Sequence, residues 1–423
     1  MACSLYWIKI NKNKQNRSNT CSLRGIQQSR QAADRAIYYG AFMGFYNKIS
    51  SRLRNLVQHI VLRRPSVTSA IRKVQKSYLD AHHCNSYDAL IVFFVPGFDM
   101  VSGGAMSIIS LAGETRKLFA ESKTGVFVCA IPYHPPISKF TKFENDAVIV
   151  NYLDLLSRCS NAKAMLLHVP EIYARYIAKN HQKLFGQFDG QLCFNILLQN
   201  IDVAPSPVFV NRLKLLGAVT ITTAHKAYSG EDTKRRYDCP VHHLSVWISP
   251  EKYIYKKFNE KRKLIIVSPD GHELRDVILN KIKTQLPEFE FVVIKNMTYS
   301  DYLKIISEAK FSLTFGEGLD GYFVEPVFSG GIGGAVYNAR FFDEEYKTLP
   351  FVYASWEILV QHFPADVLQA NLNADEYKTA HKSQFDILAS NYSYENYQRN
   401  IVSYYSTYFD GAVRGLIPPC AVE

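Results

Sequence analysis

The chain of 423 residues has no long apolar run. Its longest, Ala89–Pro96, falls far short of the roughly 20 residues that a membrane-spanning helix needs. The N-terminus also lacks an apolar core of the length a secretory signal requires. The sequence therefore predicts no membrane crossing and a cytoplasmic protein. Paired cysteine spacing is missing as well: the eight cysteines, at positions 3, 21, 84, 129, 159, 193, 239 and 420, are scattered. Cys129 and Cys193 fall in apolar stretches, as buried free thiols of a reducing compartment would. Neither Cys239 with His242 and His243 nor His82-His83-Cys84 has a second ligand pair nearby, so no metal is expected. Low-complexity tracts are absent too.

What is plentiful is core material. Hydrophobic residues make up 47% of the chain and aromatic residues 13%, which indicates a globular protein. The length exceeds what a single core supports, so two α/β domains with an appendage are expected. The net charge of +11 is concentrated at one end. Residues 1–85 carry 15 Lys and Arg against 2 Asp and Glu, a charge of +13, so the remainder is slightly acidic. That excludes a nucleic-acid-binding body and points to a basic attachment arm.

Residues 1–30 are polar and read as loose. From Gln31 to Arg63, Phe42, Tyr46, Ile49, Leu53, Leu56 and Ile60 recur at steps of four and three, placing one apolar stripe on a helix. Lys48, Arg52, Arg54, Arg63 and Arg64 lie off that stripe. Pro65 closes this helix, and Ser66–Leu79 reads as a second, shorter one. Two readings of residues 31–80 stand side by side: a helix packed on the body or on a helical partner, and an interfacial arm on anionic lipid at the inner membrane face.

Residues 86–257 read as a first Rossmann-like domain. Ala89–Val95 is a continuous apolar strand of the kind that parallel sheets bury on both faces. A Gly-rich turn with Gly103 and Gly104 then leads into a helix, Ala105–Ala120. Further strands are expected at Gly125–Ile131, Ala164–Val169, Leu192–Leu198, Ala218–Thr223 and Leu244–Pro250. His225 lies just past the carboxyl end of one of them, the edge at which open α/β sheets bind ligands. A charged connector, Phe258–Arg262, marks the hinge to a second domain, residues 258–390. There the expected strands are Lys263–Val267, Phe289–Ile294 and Phe311–Phe315, the last followed by the turns Gly316-Glu317-Gly318 and Asp320-Gly321. Glu325-Pro326 would place Pro in the first turn of a helix. Gly330–Gly334 would form a phosphate-cradling loop before a strand Ala335–Tyr337. Helical patterns follow at Ala354–Phe363 and Ala365–Leu372. Residues 391–423 include an aromatic amphipathic helix, Asn391–Tyr408.

The stretch Ala309–Ala339 holds two carboxylates, Glu317 and Glu325, with seven residues between them. It resembles the EGFGLPPLEA-type signature of the retaining nucleotide-sugar glycosyltransferases of the family-four kind, many of which serve cell-surface polysaccharide synthesis. The match covers the two Glu residues and Gly318 after the first. Val219–His225 resembles the family's Thr-x-His-Asp segment, with Lys226 where Asp is usual. Gly103-Gly104 is placed like the family's first loop.

That resemblance implies the GT-B fold: two Rossmann-like domains facing a cleft, with a terminal helix crossing back to the first. It implies sugar transfer from a nucleotide diphosphate sugar to a glycan or lipid-linked acceptor, with retention and without a metal or other cofactor. Glu317 and His225 would be catalytic. Gly103, Gly104, His272, Arg275, Asn296, Tyr299, Gly318 and Glu325 would bind the donor: the glycines and cations its diphosphate, the loop near Asn296 the nucleobase, Glu325 the ribose. The chain departs from the family where a Gly-Arg pair and a later Lys usually hold the diphosphate. Ser268 and Pro269 stand there instead, leaving His272 and Arg275 as substitutes, Arg275 first because its planar fork grips two oxygens. A nucleotide-sugar epimerase of similar fold, and a catalytically silent scaffold in a polysaccharide-assembly complex, are the alternatives. A glycosidase pair is set aside, since a phosphate loop has no place in glycoside hydrolysis.

Overall fold

The computed structural model describes residues 65–82, 86–96, 103–131, 147–159, 161–246, 253–295 and 297–409. The apolar-striped helix expected over residues 31–63 and the donor-loop residue Asn296 lie outside these. Both sheets described below belong to one compact unit, Thr68–Glu423.

The first sheet has seven strands: β1 (Ala89–Pro96), β2 (Thr124–Ile131), β3 (Ile149–Asn151), β4 (Ala164–Pro170), β5 (Gln191–Leu198), β6 (Gly217–Thr223) and β7 (Val241–His243). Their spatial order is β3-β2-β1-β4-β5-β6-β7, and the recorded pairings are parallel. β1 shows why an unbroken apolar run can form a central strand. Leu90, Val92 and Phe94 enter one apolar cluster, while Ile91, Phe93 and Val95 enter the cluster on the opposite face. A sheet covered on both faces needs no polar alternation.

The second sheet contains β8 (Arg262–Val267), β9 (Glu290–Val293), β10 (Ala309–Leu313), β11 (Ile332–Val336) and β12 (Val352–Tyr353), in the order β12-β11-β10-β8-β9. It is parallel as well. The fold is α/β, with two Rossmann-like halves. Strand order reverses between β1 and β4 in the first sheet and between β8 and β10 in the second. Crevices outside the carboxyl ends of such switch points are where open α/β sheets take ligands. The halves share apolar packing: Leu319, Phe323, Phe341 and Phe342 belong to the same cluster as Tyr228 and Tyr237.

The last helix, Tyr394–Tyr404, returns to the first half. Tyr397, Ile401 and Tyr404 join the cluster that holds Ile91 and Phe93, and the Tyr394 hydroxyl donates to Glu114 Oε2 at 2.8 Å. At the other end of the described chain, the Pro65–Ala81 helix lays Leu79 into the first core, and Gln75 Nε2 donates to the Ile149 carbonyl at 3.0 Å.

Four sequence expectations are corrected. Pro326 lies well inside the Gly321–Phe328 helix, not in its first turn. Asp320 starts that helix early, its Oδ1 accepting the N–H groups of Tyr322 and Phe323 at 2.8 and 3.2 Å. The Gly330–Gly334 cradle does not form, because β11 already begins at Ile332 and takes in Gly333 and Gly334. A Cβ on Gly333 would meet the Phe323 ring at 2.7 Å, and one on Gly334 the Phe363 ring at 2.8 Å. These glycines admit aromatic rings, not a phosphate. Ala354–Phe363 and Ala365–Leu372 merge into one helix, Trp356–Leu372, which contains Pro364. The last strand of the first sheet is Val241–His243, ahead of Leu244, where an apolar run had suggested its start. The short edge strands β3 and β12 and the Ala374–Asn391 helix carried too little pattern to be read from sequence.

Candidate functional site

A cleft of 920 Å³ opens between the two halves. It is walled by the segments that leave the carboxyl ends of the strands: Gly103, Gly104 and Met106 after β1, and Asn200 and Asp202 after β5. From the second half come Asp270–His272 after β8, Ile294–Tyr299 after β9 excluding Asn296, Gly316 and Glu317 after β10, and Asn338, Arg340 and Phe341 after β11. Among the contacts that cross it are two between polar side chains of its walls. The Asn200 side-chain amide donates to Glu317 Oε1 at 2.6 Å, and the Arg340 guanidinium pairs with Asp202.

The chemistry of the cleft is dominated by carboxyls. Asp202, Asp270, Glu317, Asp320 and Glu325 line it, against the cations Lys295 and Arg340. Burial first, then the neighbouring Asp320, Asp270, Asp202 and Glu171, pushes Glu317 up to about 7. Burial and Asp270 raise Asp320 to about 7. Burial also raises Glu325 to about 7, although the hydroxyls of Tyr302 and Tyr253 favour its charged form. Glu317 and Glu325, raised in this way, can each donate or accept a hydrogen bond to a ligand hydroxyl near neutral pH, whereas Asp320 is already engaged by the Tyr322 and Phe323 N–H groups and the Thr314 hydroxyl.

His225 follows β6 and sits edge-on to Tyr228 and Phe341, with ring centroids 5.2 and 5.7 Å away. Its Nε2 lies 3.8 Å from Glu317 Oε2. Burial, reinforced by His243, lowers its pKa to about 4. At neutral pH the imidazole is uncharged, so this contact is a polar approach and not an ion pair.

Of the residues singled out in the sequence, Gly103, Gly104, His272, Tyr299, Glu317 and Glu325 line the cleft, and His225 reaches it through Glu317. His272 accepts the Leu274 N–H on Nδ1 at 3.2 Å and rests against Trp356 at 4.7 Å. With Nδ1 accepting, the hydrogen of the neutral ring is on Nε2. Arg275 does not line the cleft. Its Nη2 donates to the Ser268 carbonyl at 2.9 Å, and its guanidinium lies over Phe315 at 5.7 Å. Gly318 is also off the cleft wall. It takes φ +87, and Phe342 occupies the space a Cβ would need. Asn296 stands outside the described residues.

Sequence reading missed Asn200, Asp202, Asp270, Asp320 and Arg340 as cleft residues. Asp270 and Asp320 were legible in principle, since each stands in a turn just past a strand. Asn200, Asp202 and Arg340 also stand just past expected strands, but their contacts with the opposite half depend on how the halves pack.

No protein-family description and no curated protein matches the sequence. Several solved structures are similar. One is a glycosylation-associated protein complex from Streptococcus agalactiae, 12% identical, covering 57% of this chain and 54% of that one, with a TM-score of 0.37. This chain thus spans about half of it. Another is the N-terminal domain of Candida albicans trehalose-6-phosphate phosphatase, 11% identical, covering 78% and 99%, with a TM-score of 0.41. A third is the spinosyn rhamnosyltransferase SpnG, 9% identical, covering 79% and 98%, with a TM-score of 0.32. These likenesses are slight, and the fold assignment rests on the two sheets themselves.

Proposed function

We propose that the cleft binds a nucleotide diphosphate sugar and transfers its sugar, with retention, to a hydroxyl of a glycan or lipid-linked acceptor. The supporting observation is that Glu317 and Glu325 both line one cleft at the carboxyl ends of two parallel sheets, with His225 against Glu317. In the transfer, the bond from the anomeric carbon to the diphosphate oxygen breaks and a bond to the acceptor oxygen forms. The nucleoside diphosphate leaves and takes up the acceptor proton. Glu317 would hold sugar hydroxyls, and His225 would offer its N–H to the same ring. Glu325, beside Tyr299 and Tyr302, would hold the ribose. Lys295, Arg340 and His272, which line the cleft, would meet the developing phosphate charge.

A second reading has its own observation. Where the family pattern has an Arg for the diphosphate, this chain has Pro269; the next residue, Asp270, lines the cleft, and Arg275 is turned onto the Ser268 carbonyl. A catalytically silent glycan-binding scaffold fits that departure. The deciding experiment is a thermal-shift screen of UDP, GDP, dTDP and CMP, followed by donor turnover. A specific nucleotide that raises the melting temperature, and whose sugar is transferred to an acceptor, supports the enzyme. Glycan binding without any nucleotide response supports the scaffold. Isomerisation of the donor without an acceptor would indicate an epimerase.

A further inference from the structure

Glu171 follows β4 and is only 6% exposed. Its Oε1 accepts the backbone N–H of Asn200 at 3.1 Å. Its Oε2 is buried with no hydrogen-bond partner among the described residues. The side chain of the same Asn200 donates to Glu317 Oε1 at 2.6 Å, and its Oδ1 accepts the Asp202 N–H at 2.7 Å, which fixes the amide orientation. One asparagine therefore holds two carboxyls on its two nitrogens, one from each half of the molecule.

A buried carboxylate oxygen without a donor is costly, and more so with a second negative charge close by. We propose that Glu171 is a positioning residue for Glu317: it fixes Asn200, whose side-chain amide holds Glu317, and the two carboxyls are coupled through that asparagine. Its importance for transfer rests on the functional reading above; the coupling itself does not. Burial holds both groups near 7, and Glu171 is among the charges that raise Glu317. Glu317 is also faced by Asp202, Asp270 and Asp320, by His225, and by the Tyr228 and Tyr392 hydroxyls. Those groups set its baseline. Glu171 is distinguished from them by the shared asparagine.

The test is a pH titration of glutamate side-chain carboxyls by carbon-13 NMR, on the full chain with the cleft empty. Glu171→Gln keeps an oxygen to accept the Asn200 N–H but removes the charge. It lowers the Glu317 midpoint by about one unit, a tenfold change in its ionisation constant. Glu317→Gln lowers the Glu171 midpoint by a similar amount, because coupling between two sites is reciprocal. This second measurement stands alone should Glu171→Gln not fold. A midpoint that stays in place in either folded variant overturns the proposal. The Asn200 side-chain amide resonance holds its position in Glu171→Gln and moves in Glu171→Leu; a resonance unmoved in both removes the positioning role. A chain that binds no nucleotide sugar fails the transfer reading, while the paired midpoints still decide this one.

Discussion

The His168 imidazole lies 3.0 Å from the Tyr405 hydroxyl, joining the centre of the first sheet to the turn that follows the last helix. The tautomer is fixed by the neighbours. Asn195 Nδ2 donates to His168 Nδ1 at 2.8 Å and to Thr222 Oγ1 at 2.9 Å, while its Oδ1 accepts from the Thr220 hydroxyl at 3.1 Å. With Nδ1 accepting, Nε2–H donates to Tyr405, whose hydroxyl lies 3.0 Å from Thr115 Oγ1. Tyr405→Phe would remove the acceptor and leave a buried imidazole N–H unsatisfied. The expected loss is about 1–3 kcal/mol of unfolding free energy, read by denaturant titration. Loss of the C-terminal helix from its groove should show as faster amide exchange at Tyr397 and Ile401.

His168 also predicts a pH dependence. Burial lowers its pKa to about 3, against an ordinary value near 6.5 in the unfolded chain. Between those values the unfolded state binds the proton and the folded state does not. The contribution is therefore full above about pH 6.5 and fades as pH falls toward 3, by at most on the order of 4 kcal/mol. His168→Gln lacks this titration. The stability difference between wild type and that variant should shrink as pH drops from 6.5 to 4, because carboxyl titrations common to both cancel. A difference constant with pH would show that His168 titrates normally.

Legibility in the sequence followed the length and uniformity of each pattern. β1, β4 and most of β5 are buried on both faces, so their apolar runs could be read almost to the residue. The Thr298 cap was legible too: its hydroxyl accepts the Asp301 N–H at 3.1 Å, the spacing a capping box requires. The glycine pair Gly333-Gly334 misled because composition cannot distinguish a glycine that admits a ligand from one that admits a ring. Phe323 and Phe363 decide that, and both come from other elements, the helices before and after the strand. Glu317 and Glu325 were visible as a spaced pair. Their partners Asn200 and Tyr253 were not, because those contacts are products of packing between separate segments.

The two kinds of glycine predict opposite outcomes on substitution. Gly333→Ala would drive a Cβ to 2.7 Å from the Phe323 ring in a fully packed core. Overpacking of this kind costs typically about 1–3 kcal/mol. Gly271→Ala meets nothing within 4 Å, yet it adds a methyl to the cleft wall. It should leave the melting temperature nearly unchanged and weaken nucleotide binding several-fold. Thermal denaturation and calorimetric titration on the same two variants would separate the roles. Equal stability losses would show that Gly271 is structural as well.

Glu317→Ala tests the proposed chemistry directly. The side chain is 30% exposed at the cleft and receives the Asn200 amide, so truncation removes contacts to ligand hydroxyls without opening the core. Transfer should fall about 10- to 100-fold, the range for losing a hydrogen bond to a charged group. The chain should stay folded by circular dichroism. Wild-type turnover in this variant would rule out the assignment of Glu317.

The acidity of the cleft sets the pH at which an anionic ligand can enter. Glu317, Asp320 and Glu325 each sit near 7, well above an ordinary carboxyl, so the folded protein holds protons that the unfolded chain has released. Taken alone, these groups stabilise the fold most at acid pH, and that contribution fades as pH rises from about 4.5 through 7, opposite in sign to His168. A nucleoside diphosphate adds negative charge beside them and favours their protonated forms. Its affinity should therefore rise as pH falls from 8 to 6.5, by up to about tenfold per pH unit for each proton taken up. Above about pH 6.5 the phosphate is mostly ionised, which isolates the protein's share. Calorimetric titration in buffers of different ionisation enthalpy counts that proton. Glu317→Gln should flatten the profile and bind more tightly at pH 8, because the variant has shed the charge that wild type keeps. Affinity independent of pH over that window, with no proton uptake, would mean that the phosphate lies away from these carboxyls.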